Sequence, residues 1–106
     1  MFGINPAQLR KNITKESDYR VFVRGENYSR QGRVISLEFD EIDDQNCIEI
    51  SAKVRGSRTY KTSLLIHTPD SSIASYECSC PYDYNICKHA VALGLTIADN
   101  LEKQNL

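Results

Sequence analysis

Cys78-Ser79-Cys80-Pro81-Tyr82-Asp83-Tyr84-Asn85-Ile86-Cys87-Lys88-His89 gathers three of the chain's four cysteines and one of its two histidines into twelve residues. In an extended segment, residues i and i+2 point to the same side, so Cys78 and Cys80 face one point. The six residues that follow are enough to turn the chain back. Cys87 and His89 then enter from the start of the last helix. Thiolates and imidazole are the donors that zinc takes in a tetrahedron, at about 2.3 Å for sulfur and about 2.0 Å for nitrogen. A Cys3His shell leaves no position for water, so the segment predicts one structural Zn2+ and not a catalytic metal. Disulfides would need an oxidising compartment, and nothing at the N-terminus resembles a secretion signal. A nucleophilic pair of Cys87 and His89 would leave Cys78 and Cys80 without a role. Zinc is the reading that uses all four.

Three thiolates around a divalent ion leave a site charge of −1, which a helix N-terminus and Lys88 are placed to offset. Downstream, Val91, Leu95 and Ala98 recur at i, i+4 and i+7, with Ala90, Ala92 and Leu101 widening the stripe into an amphipathic helix. The metal therefore anchors that helix to whatever precedes it. Structural zinc is worth roughly 10–16 kcal/mol in apparent binding energy near neutral pH, against a net stability of about 5–15 kcal/mol for a whole domain. The helix runs without a cap toward Leu106, which leads us to expect that the chain is the front part of a longer polypeptide.

Upstream the period is two. Ile35, Leu37 and Phe39 alternate with polar residues. Ile48, Ile50, Ala52 and Val54 do the same after the polar turn Asp43-Asp44-Gln45-Asn46, and Tyr60, Thr62, Leu64 and Ile66 follow the Gly56-Ser57 hairpin turn. These predict an antiparallel meander with one apolar face. Thr68-Pro69-Asp70 closes it, and Ile73–Glu77 is a candidate fourth strand. Further back the pattern is helical. Asn5-Pro6 starts a short helix to about Asn12, and a longer one is expected from about Lys15 to Gln31 with Thr14 as cap. Within it Val21, Gly25 and Tyr28 share one face, where Gly25 either meets a close neighbour or breaks the helix. Gly32 is the stop. The fold class expected is α+β: N-terminal helices (about 5–32) on a small β-meander (about 33–67), then the zinc motif and helix (about 73–106). The 106 residues make one domain.

Hydrophobic residues are 41% of the chain and charged residues 25%, which are globular proportions. No apolar run reaches the roughly 18–20 residues of a membrane span, and no GxxxxGK[ST] phosphate loop occurs. The net charge of −1 excludes nucleic-acid binding by bulk electrostatics but conceals blocks. Residues 1–33 sum to +4, 34–50 to −6, 51–66 to +4 and 67–106 to −3. Alternation of this kind permits one basic face. The candidate phosphate contacts are Arg55, Arg58 and Lys61 around the hairpin, with Arg24, Arg30 and Arg33 on or after the long helix. Tyr82 and Tyr84 are candidates for stacking on bases or packing beside the metal. Cys47, alternating onto the polar side with Glu49 and Ser51, reads as a lone reduced thiol, and His67 as a solvent-facing side chain before a turn.

The pattern Cys78-X-Cys80-X6-Cys87-X-His89 resembles the SWIM-type zinc finger, CxC followed by CxH. The flanking Cys80-Pro81-Tyr82 and Cys87-Lys-His-Ala-Val-Ala-Leu resemble the SWIM core near the N-terminus of bacterial Swi/Snf-type helicases. Arg24-Gly25-Glu-Asn-Tyr28, Gly32-Arg-Val34 and Val54-Arg-Gly56-Ser57-X-X-Tyr60 extend the likeness over about residues 20–98. The resemblance implies binding to DNA or to protein. It therefore implies a targeting module beside a covalently linked ATPase in a reducing, cytoplasmic or nucleoid-associated setting, with any helicase or ATPase chemistry outside these residues. The alternative is a protein-protein or intramolecular docking domain that regulates an adjacent ATPase.

Overall fold

The computed structural model of the chain describes residues 3–42, 45–82 and 85–104. Two helices, α1 (Pro6–Glu16) and α2 (Tyr19–Arg30), precede strands β1 (Val34–Ile42), β2 (Cys47–Arg55), β3 (Thr59–His67) and β4 (Ser72–Cys78), and α3 (Lys88–Gln104) closes the chain. The strands form one antiparallel sheet in the order β1-β2-β3-β4. The predicted α+β class is the one observed, and the fourth strand pairs with β3 from Thr62 to His67, with a register shift between Leu65 and Ile66.

Asn5 caps α1 as expected, its side chain accepting from the Gln8 amide. The helix does not stop near Asn12, however, and Thr14 does not begin the next one. Thr14 lies inside α1, its hydroxyl donating to the Arg10 carbonyl. The extra turn is held because Leu9 and Ile13, four residues apart, are both fully buried. Ser17 terminates α1 through bonds from its amide and hydroxyl to the Ile13 carbonyl, and Asp18 caps α2 by accepting from the Arg20 amide. Gly32, at φ +69°, ends the second helix in the left-handed conformation that glycine adopts without cost.

The sheet buries one face. Ile48, Ile50, Ala52 and Val54 from β2 and Leu64 and Ile66 from β3 point inward, as their alternation predicts. In β1 the expected phase holds only from Leu37 onward, and Phe39, on the inner face opposite Ile50, is still 45% exposed. A register shift between Ile35 and Glu38, with Ser36 at φ +58°, rotates the strand. Val34, opposite Val54, therefore packs on the core in place of Ile35, which pairs with Lys53. Asp43 and Asp44 of the predicted turn lie outside the described residues.

Helix α3 covers the inner face and is far more buried than a surface helix. His89 to Leu95, Ile97 and Ala98 are all nearly inaccessible. The reason is that α1 and α2 pack on it from the other sides. Arg10 forms ion pairs with Asp99 and Glu102, and Ser29 and Thr96 share a 2.7 Å hydroxyl contact. α2 runs unbroken through Gly25, where a Cβ would lie 2.5 Å from Val91 Cγ1 and 2.9 Å from the Lys88 carbonyl. Close approach, not breakage, explains this glycine. Gly25→Ala should lower the urea midpoint, with overpacking costs of about 1–3 kcal/mol outweighing the better helix propensity of alanine. A midpoint at or above the parent's would show that α2 and α3 have room to part.

Candidate metal centre

Cys78 is the last residue of β4, Cys80 stands in the turn after it, and Cys87 and His89 bracket the first residue of α3. The knuckle between the first two is pinned to β3. The Ser79 amide donates to the Lys61 carbonyl at 2.9 Å, and the Lys61 amide donates to Ser79 Oγ at 3.0 Å. The returning loop is anchored by fully buried Ile86. As a result the four predicted ligand atoms lie within 4.8 Å of one another, and His89 is 4% and Cys87 3% exposed. Cys47 and His67 stay outside the group. His67 Nδ1 instead meets Asp70 Oδ1 at 2.9 Å in the β3–β4 turn. Cys47 differs from the exposed thiol its alternation implies. It is buried at a strand end opposite His67, its Sγ 3.3 Å from the Gln45 carbonyl.

The donor set fits zinc in geometry and in chemistry. Bonds of the usual lengths give a tetrahedron with a sulfur–nitrogen edge of about 3.6 Å, and Cys78 Sγ lies 3.6 Å from His89 Nδ1. The Cys78 thiol is pulled down to about 3 by the neighbouring Cys87 thiol, with His89, the Thr62 hydroxyl and the Cys80 amide adding to the effect against burial. Cys87 is pushed up, first by sharing its proton with Cys78 and then by burial, and Cys80 is pushed up chiefly by burial. Without a cation the cluster thus settles on one thiolate and keeps two thiols protonated. A divalent ion removes that asymmetry by stabilising all three thiolates. The start of α3 helps as expected, since the Ala90 amide reaches Cys87 Sγ at 3.4 Å. A Zn2+ held by Cys78, Cys80, Cys87 and His89 would have no open position, and its role would be to hold β4 and α3 together.

Two contributors escaped the sequence reading. Thr62 sits on the buried face of β3 and brings its hydroxyl 3.3 Å from Cys78 Sγ. A polar residue in an apolar alternation was the available signal. Tyr60 stacks on His89, and nothing in the spacing announces it. Among the other candidates, Arg33, Arg55, Arg58 and Lys61 gather at the hairpin, where Arg33 Nη1 donates to the Arg55 carbonyl. Arg30 is turned toward Glu26 at 3.5 Å, and Arg24 lines the zinc-side cavity together with Tyr82. Lys88, expected to offset the site charge, rests its ammonium 5.1 Å from the Tyr28 ring centroid. Tyr84 lies outside the described residues.

A closed thiolate-imidazole shell on a small α+β scaffold defines a structural zinc finger. The SWIM zinc finger family model matches residues 60–96, which hold all four ligands, and the chain carries a SWIM-type zinc finger there. Such a finger is a non-catalytic zinc-binding module. Neither a comparison with curated proteins nor one with solved structures returned a match. Among the described residues no helix is long and apolar enough to cross a membrane.

Zinc added to the reduced, metal-free protein near neutral pH should release about two protons per ion, those of Cys80 and Cys87. Affinity should accordingly fall as the pH is lowered, because protons then compete for the raised thiols. An indicator titration reads the release, and binding without it would contradict a thiolate shell. Chelation should cost much of the helical circular dichroism, since it frees the start of α3 from β4.

Proposed function

We propose that the chain is a zinc-stabilised nucleic-acid-binding module that targets a Swi/Snf-type motor to DNA. The carrying observation is a pairing in the sheet. Lys53 and Lys61 stand directly opposite each other on the outer face of β2 and β3. Like charges in that position are destabilising. Arg55 continues the row and Arg58 stands in the turn beyond. None of the four makes an ion pair with a described residue, whereas Arg10 and Arg30 both do. Arg33 is held beside them by the Arg55 carbonyl and by the Tyr28 ring, 4.7 Å away. A group of cations that form no ion pair among the described residues suits a partner that supplies phosphates, and counterion release then drives binding. The acidic side chains of the same sheet face, Glu38, Glu49 and Glu77, line its concavity with Lys53 and Lys61, so the charges on it are mixed. That mixture leaves binding to phosphates outside the grooves as the main mode, which positions a protein without reading sequence.

The hypothesis of a docking domain that regulates an adjacent ATPase draws on a different place. An apolar groove of about 420 Å³ runs between β1 and the end of α3, lined by Ile4, Leu37, Phe39, Ile97 and Leu101. The two readings therefore use different surfaces, and substitutions separate them. Zinc-loaded protein should bind short duplex DNA at low salt with a log–log salt slope of about −3 to −4, and Arg55→Glu with Arg58→Glu should flatten it by about 2 while weakening binding at least ten-fold. Absence of binding at low salt removes the nucleic-acid reading. Retention of an ATPase partner by the doubly reversed protein, lost on Leu101→Glu, favours docking.

A further inference from the structure

His89 Nε2 is the one buried side-chain nitrogen or oxygen among the described residues without a hydrogen-bond partner. Histidines that ligate a metal through one nitrogen ordinarily donate the other N–H to a carboxylate, a carbonyl or water, which sets the plane of the ring. Here Nδ1 faces Cys78, and the far side of the imidazole is enclosed by aromatic rings. Tyr60 lies over it with centroids 4.3 Å apart and planes inclined by 32°. Tyr28 closes the other approach from α2, at 5.8 Å and 57°. Gly56 completes the enclosure. A Cβ there would come within 3.2 Å of Tyr60 Cε2 and of Tyr28 Oη, and within 3.4 Å of His89 Nε2. Among the described residues no carboxylate or carbonyl reaches Nε2, and the contacts that do reach the ring are aromatic.

We infer that Tyr60 is a positioning residue of the zinc centre, its ring holding the His89 imidazole with Nδ1 directed at the sulfurs in place of a hydrogen bond to Nε2. The contact also favours the loaded state. An imidazole that donates its lone pair to a cation becomes electron-poor, and the face of a tyrosine ring attracts it more strongly. Tyr60 leads back into the basic hairpin, because its hydroxyl meets Ser57 Oγ at 3.0 Å and Ser57 stands between Arg55 and Arg58 in sequence. Metal occupancy and hairpin geometry are thereby joined through one ring. The inference concerns the metal and does not depend on what the hairpin binds.

The test is affinity for Zn2+ by chelator competition, together with the visible absorption of the Co2+-substituted protein. Tyr60→Leu keeps an apolar side chain on the strand but removes the stack. It should weaken Zn2+ about ten-fold or more and alter the Co2+ ligand-field bands, which report the angle of the nitrogen donor. Tyr60→Phe keeps the ring and drops only the bond to Ser57, and should stay within about two-fold of the parent with an unchanged spectrum. Gly56→Ala crowds the ring pair and should weaken Zn2+ a few-fold. Parent-like affinity and spectrum in Tyr60→Leu overturn the proposal, and so does a Tyr60→Phe as weak as Tyr60→Leu, which would assign the effect to the hydroxyl. Should Tyr60→Leu fail to fold even with Zn2+ present, Gly56→Ala decides, and an affinity and spectrum matching the parent's then overturn it.

Discussion

The fold depends on four donor atoms from two chain segments meeting within one coordination sphere. Cys78 and Cys80 belong to the end of the sheet, and Cys87 and His89 to the start of α3. A tetrahedral ion on these four residues would tolerate little variation in their distances, and so would fix where α3 begins and which of its faces meets the sheet. That matters because α3 is in contact with both N-terminal helices and with all four strands. A rotation of α3 by one residue would carry Val91, Leu95 and Ala98 away from the core and break the fit of Gly25 against Val91. Metal binding would thus be coupled to core packing. The hydrophobic term is large but non-directional, and the ion supplies direction.

The same arrangement organises the charges. Carboxylates and cations alternate in blocks along the chain, yet in the tertiary structure some cations are neutralised and others are kept apart. Arg10 is used to join α1 to α3 through Asp99 and Glu102. The hairpin between β2 and β3 is treated differently, with Lys53 facing Lys61 across the ladder and neither in an ion pair with a described residue. Tyr28 lies beneath this region and accepts both Arg33 and Lys88 on its ring. Stacking on the ring orders both cations without pairing either with a carboxylate.

Much of the site was legible in the sequence because metal ligation is a local code. Side-chain chemistry and spacing in residues 78–89 name the ligands, and no long-range contact is needed to see them. Strands β2 and β3 were legible for a related reason, since a one-residue slip would turn every buried side chain outward and the Gly56-Ser57 turn sets the remaining choice. Where the reading erred, a non-local preference prevailed. Thr14 looks like a cap, but burial of Ile13 extends α1 past it. Ile35 belongs by alternation with Leu37 and Phe39, but the bulge at Ser36 puts Val34 inside instead. Cys47 alternates with exposed residues, yet the strand end and the Gln45 carbonyl enclose it.

The sequence by itself determined the metal, its four ligands, the strand faces and the amphipathic final helix, because each is a matter of residue type and period within a short window. Only the tertiary structure decided that α3 is central instead of peripheral, that Thr62 and Ser79 brace the thiolates, and that Tyr60 and Tyr28 enclose the imidazole. These relations join residues far apart in the chain, and no local period encodes which ring comes to rest on which.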